Sequence, residues 1–418
     1  MFQISEYCHG RWPLRVDLLA DEVYLVQQPK NITQIFSHPS LTALQVYLSD
    51  TSGFRGKPLP GSQVEETARV SHYTHRNLAE GLLGEGLDPT TRIFEEALFA
   101  SLAGVAEGSA FQPQEWVQDE DLTQFLEEHL GSSIVKALFG PLLLATSADL
   151  IQDLWDYDRR LATILSASNT EETTDNLVWG SAMMRRRHEM LLKLDKQDSR
   201  AVASADLALI WASVTNVVPS TVISCLHIYQ DISLLKDIRQ CARVSTVQKD
   251  PLKLDIKLLE KNPLLLSIYA ETLRFGVQIH IPRCSPHHDL QVGDSIIPMN
   301  KLVLINTWLS HMDDSVWNTR SGQYPLNGFW PRPWTGKPGN RKGYVLEGIW
   351  IPYGGGQHAC PGRILARRIM LLTVAMITTF FDIELLAPSS ALEFVSPRFG
   401  FGVKKPAGRV PFRIRRRL

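Results

Sequence analysis

The sequence has almost no excess charge of either sign: 43 Lys+Arg stand against 44 Asp+Glu over 418 residues, a formal net charge of -1. No overall field draws it to nucleic acid, and any basic surface must be local. Cysteine is scarce. The five (Cys8, Cys225, Cys241, Cys284 and Cys360) are odd in number and show neither a C-x-x-C pair nor the spacing of a secreted disulfide framework, which points to a reducing compartment. The first thirty residues lack a long apolar run, because Glu6, His9, Arg11, Arg15, Asp17 and Asp21 interrupt it; neither a signal peptide nor a transmembrane helix is expected there. No repeat, low-complexity tract or charge block divides the chain. What remains is ordinary globular composition, 44% hydrophobic and 21% charged, enough to bury a large core. The length allows either two domains or one large, mainly helical enzyme unit, and the undivided text favours a single catalytic domain over 1–418.

Near the start, VYLVQQP (Val23 to Pro29) predicts a short strand, and NITQIFSHP (Asn31 to Pro39) a helix with an Asn cap. From about Thr91 to Ser245 apolar residues recur at helical spacing, as in EEALFASLAGVA and IQDLWDYDRRLATIL. After Glu271, IHIPRC, VGDSIIPMN and KLVLINTWLS pattern as strands, and a final helix follows Cys360 before a strand-like end, RFGFGVKKPAGRVPFRIRRR. The strongest loop signal, Pro325 to Gly343, immediately precedes the richest motif. The fold class that follows is mainly α with small β-sheets.

That motif is YGGGQHACPGRILARR, from Tyr353. Gly354, Gly355 and Gly356 remove side chains, which lets backbone approach a flat cofactor and adopt conformations closed to other residues. Pro361 suits a first helical turn, having no amide proton to leave unpaired. A cysteine at a helix N-terminus faces free N–H groups and the positive dipole end, which favours the thiolate that metals need. A structural cysteine in a tight turn is the alternative for an isolated C-P-G. Upstream, ETLR puts Glu271 and Arg274 on one helix face, a spacing that is also common on solvated helices.

Taken together these motifs resemble the cytochrome P450 family, whose cysteine loop reads F-x-x-G-x-R-x-C-x-G. Gly356, Cys360 and Gly362 match; Tyr353 stands for the usual Phe and His358 for the usual Arg. The resemblance runs from about Gly10 to RFGFGV and implies the P450 fold, with haem b between a long central helix and the cysteine-loop helix. By it, Cys360 is the axial iron ligand. His358, Arg283 in GVQIHIPR, and His72 with Arg76 (in place of W-x-x-x-R) hold propionates, beside Tyr353 and Gly356. Glu271 and Arg274 tie the helix to the preceding loop, where Pro333 occupies the position of the family's arginine and Arg332 is the candidate substitute.

The family's proton-delivery motif, A-G-x-D/E-T-T, corresponds here to WASVTNVVPS. Thr215 takes the acid position and Asn216 the threonine position, and Pro219 removes a helical hydrogen bond and kinks the helix. This version resembles the steroid 7α-hydroxylase and prostacyclin synthase branch, which holds both monooxygenases and an isomerase. The leading expectation is a monooxygenase in which Asn216 organises water or oxygen. It would take molecular oxygen, a small apolar substrate of terpenoid, steroid-like or alkaloid kind in fungal secondary metabolism, and electrons from NADPH-cytochrome P450 reductase. A haem-thiolate isomerase or dehydratase and a non-catalytic haem protein are the alternatives.

Substrate contacts are expected around Phe54 and from Val214, Val218, Val277, Ile279 and Phe401. Arg363, Arg367 and Arg368, with Arg341 and Lys342, offer a reductase-docking face. The anchor that most eukaryotic members carry before the first strand is either absent from the protein or missing from this sequence. The expected location is intracellular, cytoplasmic or peripheral at the endoplasmic reticulum, with possible peripheral membrane contact.

Overall fold

The computed structural model describes residues 13–18, 21–38, 41, 74–107, 115–164, 182–192, 199–249, 252–315, 317, 321–331 and 348–417. Alternating residues build β1 (Leu14–Leu18) and a buried run, Val23 to Val26, ends β2 (Asp21–Val26); the two form an antiparallel pair. Helix α1 (Pro29–Ser37) then starts earlier than the sequence predicts. Pro29 occupies its first turn, where a missing N–H is harmless, and Asn31 is not a cap but a buried side chain that donates to Gln28 Oε1 at 3.3 Å.

The helical body follows in chain order: α2 (Leu87–Glu107), α3 (Leu122–Phe139), α4 (Ser199–Val214), α5 (Val217–Gln230), α6 (Ile232–Ser245), α7 (Pro263–Gly276) and α8 (Arg363–Phe380), with shorter helices between. Side-chain caps fix the starts of several: Asp121 accepts from the Thr123 amide, Asp231 from Leu234, and Asn262 from Leu264 and Leu265. Residues 206–230 are apolar and long enough to cross a bilayer, yet 72% of their most apolar window is buried inside the fold. This is the central helix of the body.

Strands β3 (Val117–Asp119), β4 (Val277–Cys284), β5 (Leu302–Asn306), β6 (Phe381–Leu385), β7 (Phe401–Val403) and β8 (Phe412–Arg416) complete the main sheets. The larger sheet runs β1-β2-β5-β4-β7, with only the β2–β5 pair parallel; the smaller runs β6-β8-β3. After β5, NTWLS is not strand: Asn306 caps the Leu309 amide at 3.1 Å and starts a short helix, Thr307–His311. Apolar residues gather in a main helical core and a second cluster between α1 and the larger sheet. β4 belongs to both, with Val277 in the first and Ile281 in the second. It follows α7 without a loop and carries Arg283 near its end.

Candidate active site

Cys360 sits between a single 3-10 turn (Gly356–His358) and α8. Its amide donates to the Tyr353 carbonyl at 3.0 Å, and the Arg363 guanidinium donates to the Cys360 carbonyl at 3.0 Å. The sulfur accepts from the Gly362 and Arg363 amides, yet burial is the largest influence and pushes the thiol up, against those two donors and the Arg363 charge. The helix start thus supplies two backbone donors and a nearby cation to the sulfur, opposing the effect of burial.

The glycines also divide differently from expectation. A side chain at Gly355 would strike the Phe36 ring, and one at Gly356 (φ +65°) the Phe36 carbonyl, so these two let the loop close on α1. Only Gly354 (φ +70°) opens onto space, with Ile281 3.9 Å from its would-be Cβ. Tyr353 is held from the α7 side, where the Tyr269 hydroxyl donates to its oxygen at 3.1 Å.

Arg283 lies on β4 beside this loop, 4% exposed. Its guanidinium donates to the Pro282 carbonyl at 2.8 Å and the Gly355 carbonyl at 3.1 Å, and lies over the Phe36 ring at 5.6 Å. No carboxylate pairs with it among the described residues, and burial pushes it down to about 10. His358 has its ring nitrogen 3.0 Å from the Leu41 carbonyl. Arg76 is exposed and paired with Glu80 at 2.8 Å. His72 and Arg332 lie outside the described residues. His75, which the sequence reading missed, places its Nε2 3.0 Å from the Ala359 carbonyl and its ring against His358. No motif spacing marked it; only the approach of its helix to the loop does.

Glu271 and Arg274 are both 1% exposed and form a two-point pair at 2.7 and 2.8 Å. Arg274 also donates to the carbonyls of Leu326 and Gly328, each at 2.9 Å, and Glu271 accepts the Trp330 amide at 2.9 Å. Backbone groups of the preceding loop therefore complete the network, and the pair is a joint rather than a solvated helix face.

The central helix is interrupted at Thr215–Asn216, between α4 and α5, as Pro219 predicts. The Thr215 hydroxyl donates to the Trp211 carbonyl at 2.9 Å. Asn216, partly exposed, caps nothing, and its Oδ1 is buried without a hydrogen-bond partner.

Of the expected substrate contacts, Val214 and Val218 are 0% exposed in the main core, and Val214 packs toward Gly131 of α3. Val277 is core as well, Ile279 partly buried, Phe401 exposed, and Phe54 outside the described residues. Arg367 pairs with Glu260 at 2.8 Å and remains partly exposed, while Arg368 is buried and pairs with Asp88 at 2.6 Å; Arg341 and Lys342 fall outside the described residues.

The family model for cytochrome P450 matches residues 200–412. A cytochrome P450 monooxygenase of Humicola fuscoatra, fsoE, is 30% identical over 83% of this chain and 71% of its own length. The chain belongs to the cytochrome P450 family. Another relative, the P450 monooxygenase efuG of Hormonema carpetanum, is 27% identical over 100% of this chain and 86% of its own. Rat prostacyclin synthase is 26% identical over 62% of this chain and 53% of its own. The solved structure of cyanobacterial CYP120A1 with retinoic acid bound superposes with a TM-score of 0.71, covering 99% of this chain and 94% of that one at 16% identity, a match of fold alone.

As a P450 the protein is an oxidoreductase with haem b as its cofactor, and the residues present fit that group. A buried arginine without a carboxylate suits a propionate. Gly354 leaves room for a flat ring, and the sulfur at the helix start has two backbone donors. Among the described residues no group of three or more metal-ligating side chains is found.

Proposed function

We propose that this P450 is a monooxygenase of fungal secondary metabolism that oxidises a small, largely apolar terpenoid-, steroid- or alkaloid-like molecule, with electrons from NADPH-cytochrome P450 reductase. The observation that carries the cofactor site is Arg283, a buried cation beside the cysteine loop with only carbonyl partners. The fungal relatives named as P450 monooxygenases support the chemistry.

Haem bound through a thiolate supplies dioxygen activation and oxygen insertion into an unactivated C–H bond. In the proposal Cys360 would hold the haem iron through its sulfur, which accepts from the Gly362 and Arg363 amides, a backbone hydrogen-bond setting that would tune its electron donation. Arg283, His358, and Arg76 with His72 take the propionates. Glu271, Arg274 and Arg332 hold the loop before the cysteine. The free Oδ1 of Asn216 accepts a hydrogen bond from a water or a substrate hydroxyl and orients it in the helix break, next to Thr215. Phe401 and Ile279 line the substrate side.

The test is the difference spectrum of the reduced, carbon monoxide-bound protein in wild type and Cys360→Ser, followed by turnover with NADPH and the reductase under isotopically labelled dioxygen. A thiolate-type Soret band lost in the variant, and a product carrying one labelled oxygen, are expected. An unaltered band in the variant overturns the ligand assignment. Product formed without NADPH or oxygen overturns the monooxygenase and favours an isomerase.

A further inference from the structure

Pro219 leaves a gap in the backbone ledger of the central helix. The bonds on either side survive, Thr215 N–H to Trp211 at 3.0 Å and Ser220 N–H to Asn216 at 3.2 Å, but position 219 has no N–H for the Thr215 carbonyl. On a solvated helix water would fill that place. Thr215 is 0% exposed, and a buried carbonyl needs a protein donor. Arg398 supplies it from the C-terminal end of the chain: its Nη1 donates to the Thr215 carbonyl at 3.2 Å.

The rest of the guanidinium is fixed at the same time. Nη1 is 2.7 Å from Asp158, Nη2 donates to the Phe401 carbonyl at 3.0 Å, and the plane lies over the Trp211 ring at 4.9 Å. Trp211 donates its indole N–H to the same Asp158 carboxylate at 3.0 Å, and Lys405 reaches the other oxygen at 3.0 Å. Glycine at 402 makes the approach possible, since a Cβ there would be 2.9 Å from Arg398 Cζ. A planar fork can reach a carboxylate and two carbonyls together; a lysine ammonium on a single stem cannot hold all three.

We propose that Arg398 is a positioning residue: it stands in for the amide that Pro219 lacks, and so fixes the Thr215–Asn216 turn from which Asn216 presents its amide. The inference rests on the assignment of Asn216 above, but the state of the helix break can be read independently of it. By the same contacts Arg398 links the break to Phe401, so the helix wall and the strand wall of the substrate site keep a fixed separation.

The test is a double-mutant cycle on the haem-loaded protein with Arg398→Lys, Pro219→Ala and both. Its readouts are hydrogen exchange of the amides at 215–218 and 220 and the optical difference spectrum on titration with imidazole. Arg398→Lys keeps the charge beside Asp158. With Pro219 present it should speed exchange at the break by about tenfold, the worth of a charged hydrogen bond, and shift imidazole affinity in the same background. With Pro219→Ala the restored amide holds the Thr215 carbonyl, and Arg398→Lys should move both readouts by no more than about twofold. Gly402→Ala, which displaces the guanidinium without changing any charge, should act like Arg398→Lys but more weakly, and carries the decision if Arg398→Lys does not fold.

Equal effects of Arg398→Lys in both backgrounds, or a silent Gly402→Ala, overturn the proposal. Faster exchange with unchanged imidazole affinity reduces Arg398 to a structural cap and overturns its role at the site. If no variant, nor the wild type, shows a thiolate-type spectrum, the haem assignment fails instead, while the exchange cycle still reports on the break.

Discussion

Two buried arginines on one continuous segment, Arg274 at the end of α7 and Arg283 at the end of β4, have opposite surroundings. Arg274 meets a carboxylate at two points and several backbone carbonyls, so its charge is balanced and its donors are used. Arg283 has two carbonyls, an aromatic ring and no carboxylate among the described residues, and burial pushes it down to about 10. The first is a finished joint that sets the loop before the cysteine. Under the proposed function a haem propionate completes the second. On that proposal the unbalanced charge is the cofactor contact, and the balanced one is the frame that holds it.

The comparison breaks most visibly by removing the partner of Arg274. Glu271→Ala leaves a buried, uncompensated guanidinium and should lower unfolding stability by about 3–5 kcal/mol in a denaturant titration. Little haem-containing protein should then be recovered. A small loss would mean that the joint is not the frame described.

Arg283→Ala should behave in the opposite way. Stability of the haem-free chain should hold or rise, while haem retention falls by about 1.5–3 kcal/mol, the worth of a charged hydrogen bond, measured as the rate of haem transfer to an excess of a haem-binding acceptor. A destabilised haem-free chain with unchanged haem retention would reverse the roles of the two arginines.

Glu127 sharpens the scale between these extremes, being only partly compensated. It is 6% exposed, with Arg159 at 3.5 Å and Lys405 at 3.8 Å, and burial raises it to about 7. Its carboxylate form is therefore disfavoured in the fold. That cost is absent below the unfolded value near 4.5, grows as pH rises, and is complete above about 7. Glu127→Gln should match wild type at low pH and be more stable by about 1–2 kcal/mol at pH 8. Equal stability across that range would show that Lys405 and Arg159 balance the charge fully.

The smallest effect is expected at the start of α7. Asn262 caps the Leu264 and Leu265 amides at 3.0 Å, and Asn262→Ala should cost about 1 kcal/mol in the same titration while leaving haem retention unchanged.

Much of this frame was legible beforehand because it depends on local chemistry. Pro219 cannot donate a helical hydrogen bond in any context, so the break was readable; Arg398, far along the chain, was not readable as its donor. The strand at KLVLINTWLS was misread at its end, where an Asn cap outweighs the apolar run. The glycines before Cys360 were seen as openings toward a cofactor, but Gly355 and Gly356 serve the approach of Phe36, a contact no local pattern encodes. The arginines after Cys360 looked like a docking face because charge on a helix does not reveal Glu260 and Asp88 waiting opposite. His75 carried no signal at all until its helix met the Ala359 carbonyl.

Sequence alone determined the residue types and their spacings: one cysteine before a helix, a carboxylate and guanidinium three apart, an arginine at the end of a strand, a proline inside an apolar helix. Those are consequences of covalent geometry and short-range periodicity. Tertiary structure decided which charges find partners, which glycines touch the chain itself, and which side chains close around the cysteine loop. Desolvation and pairing depend on neighbours distant along the chain, and only folding brings those together.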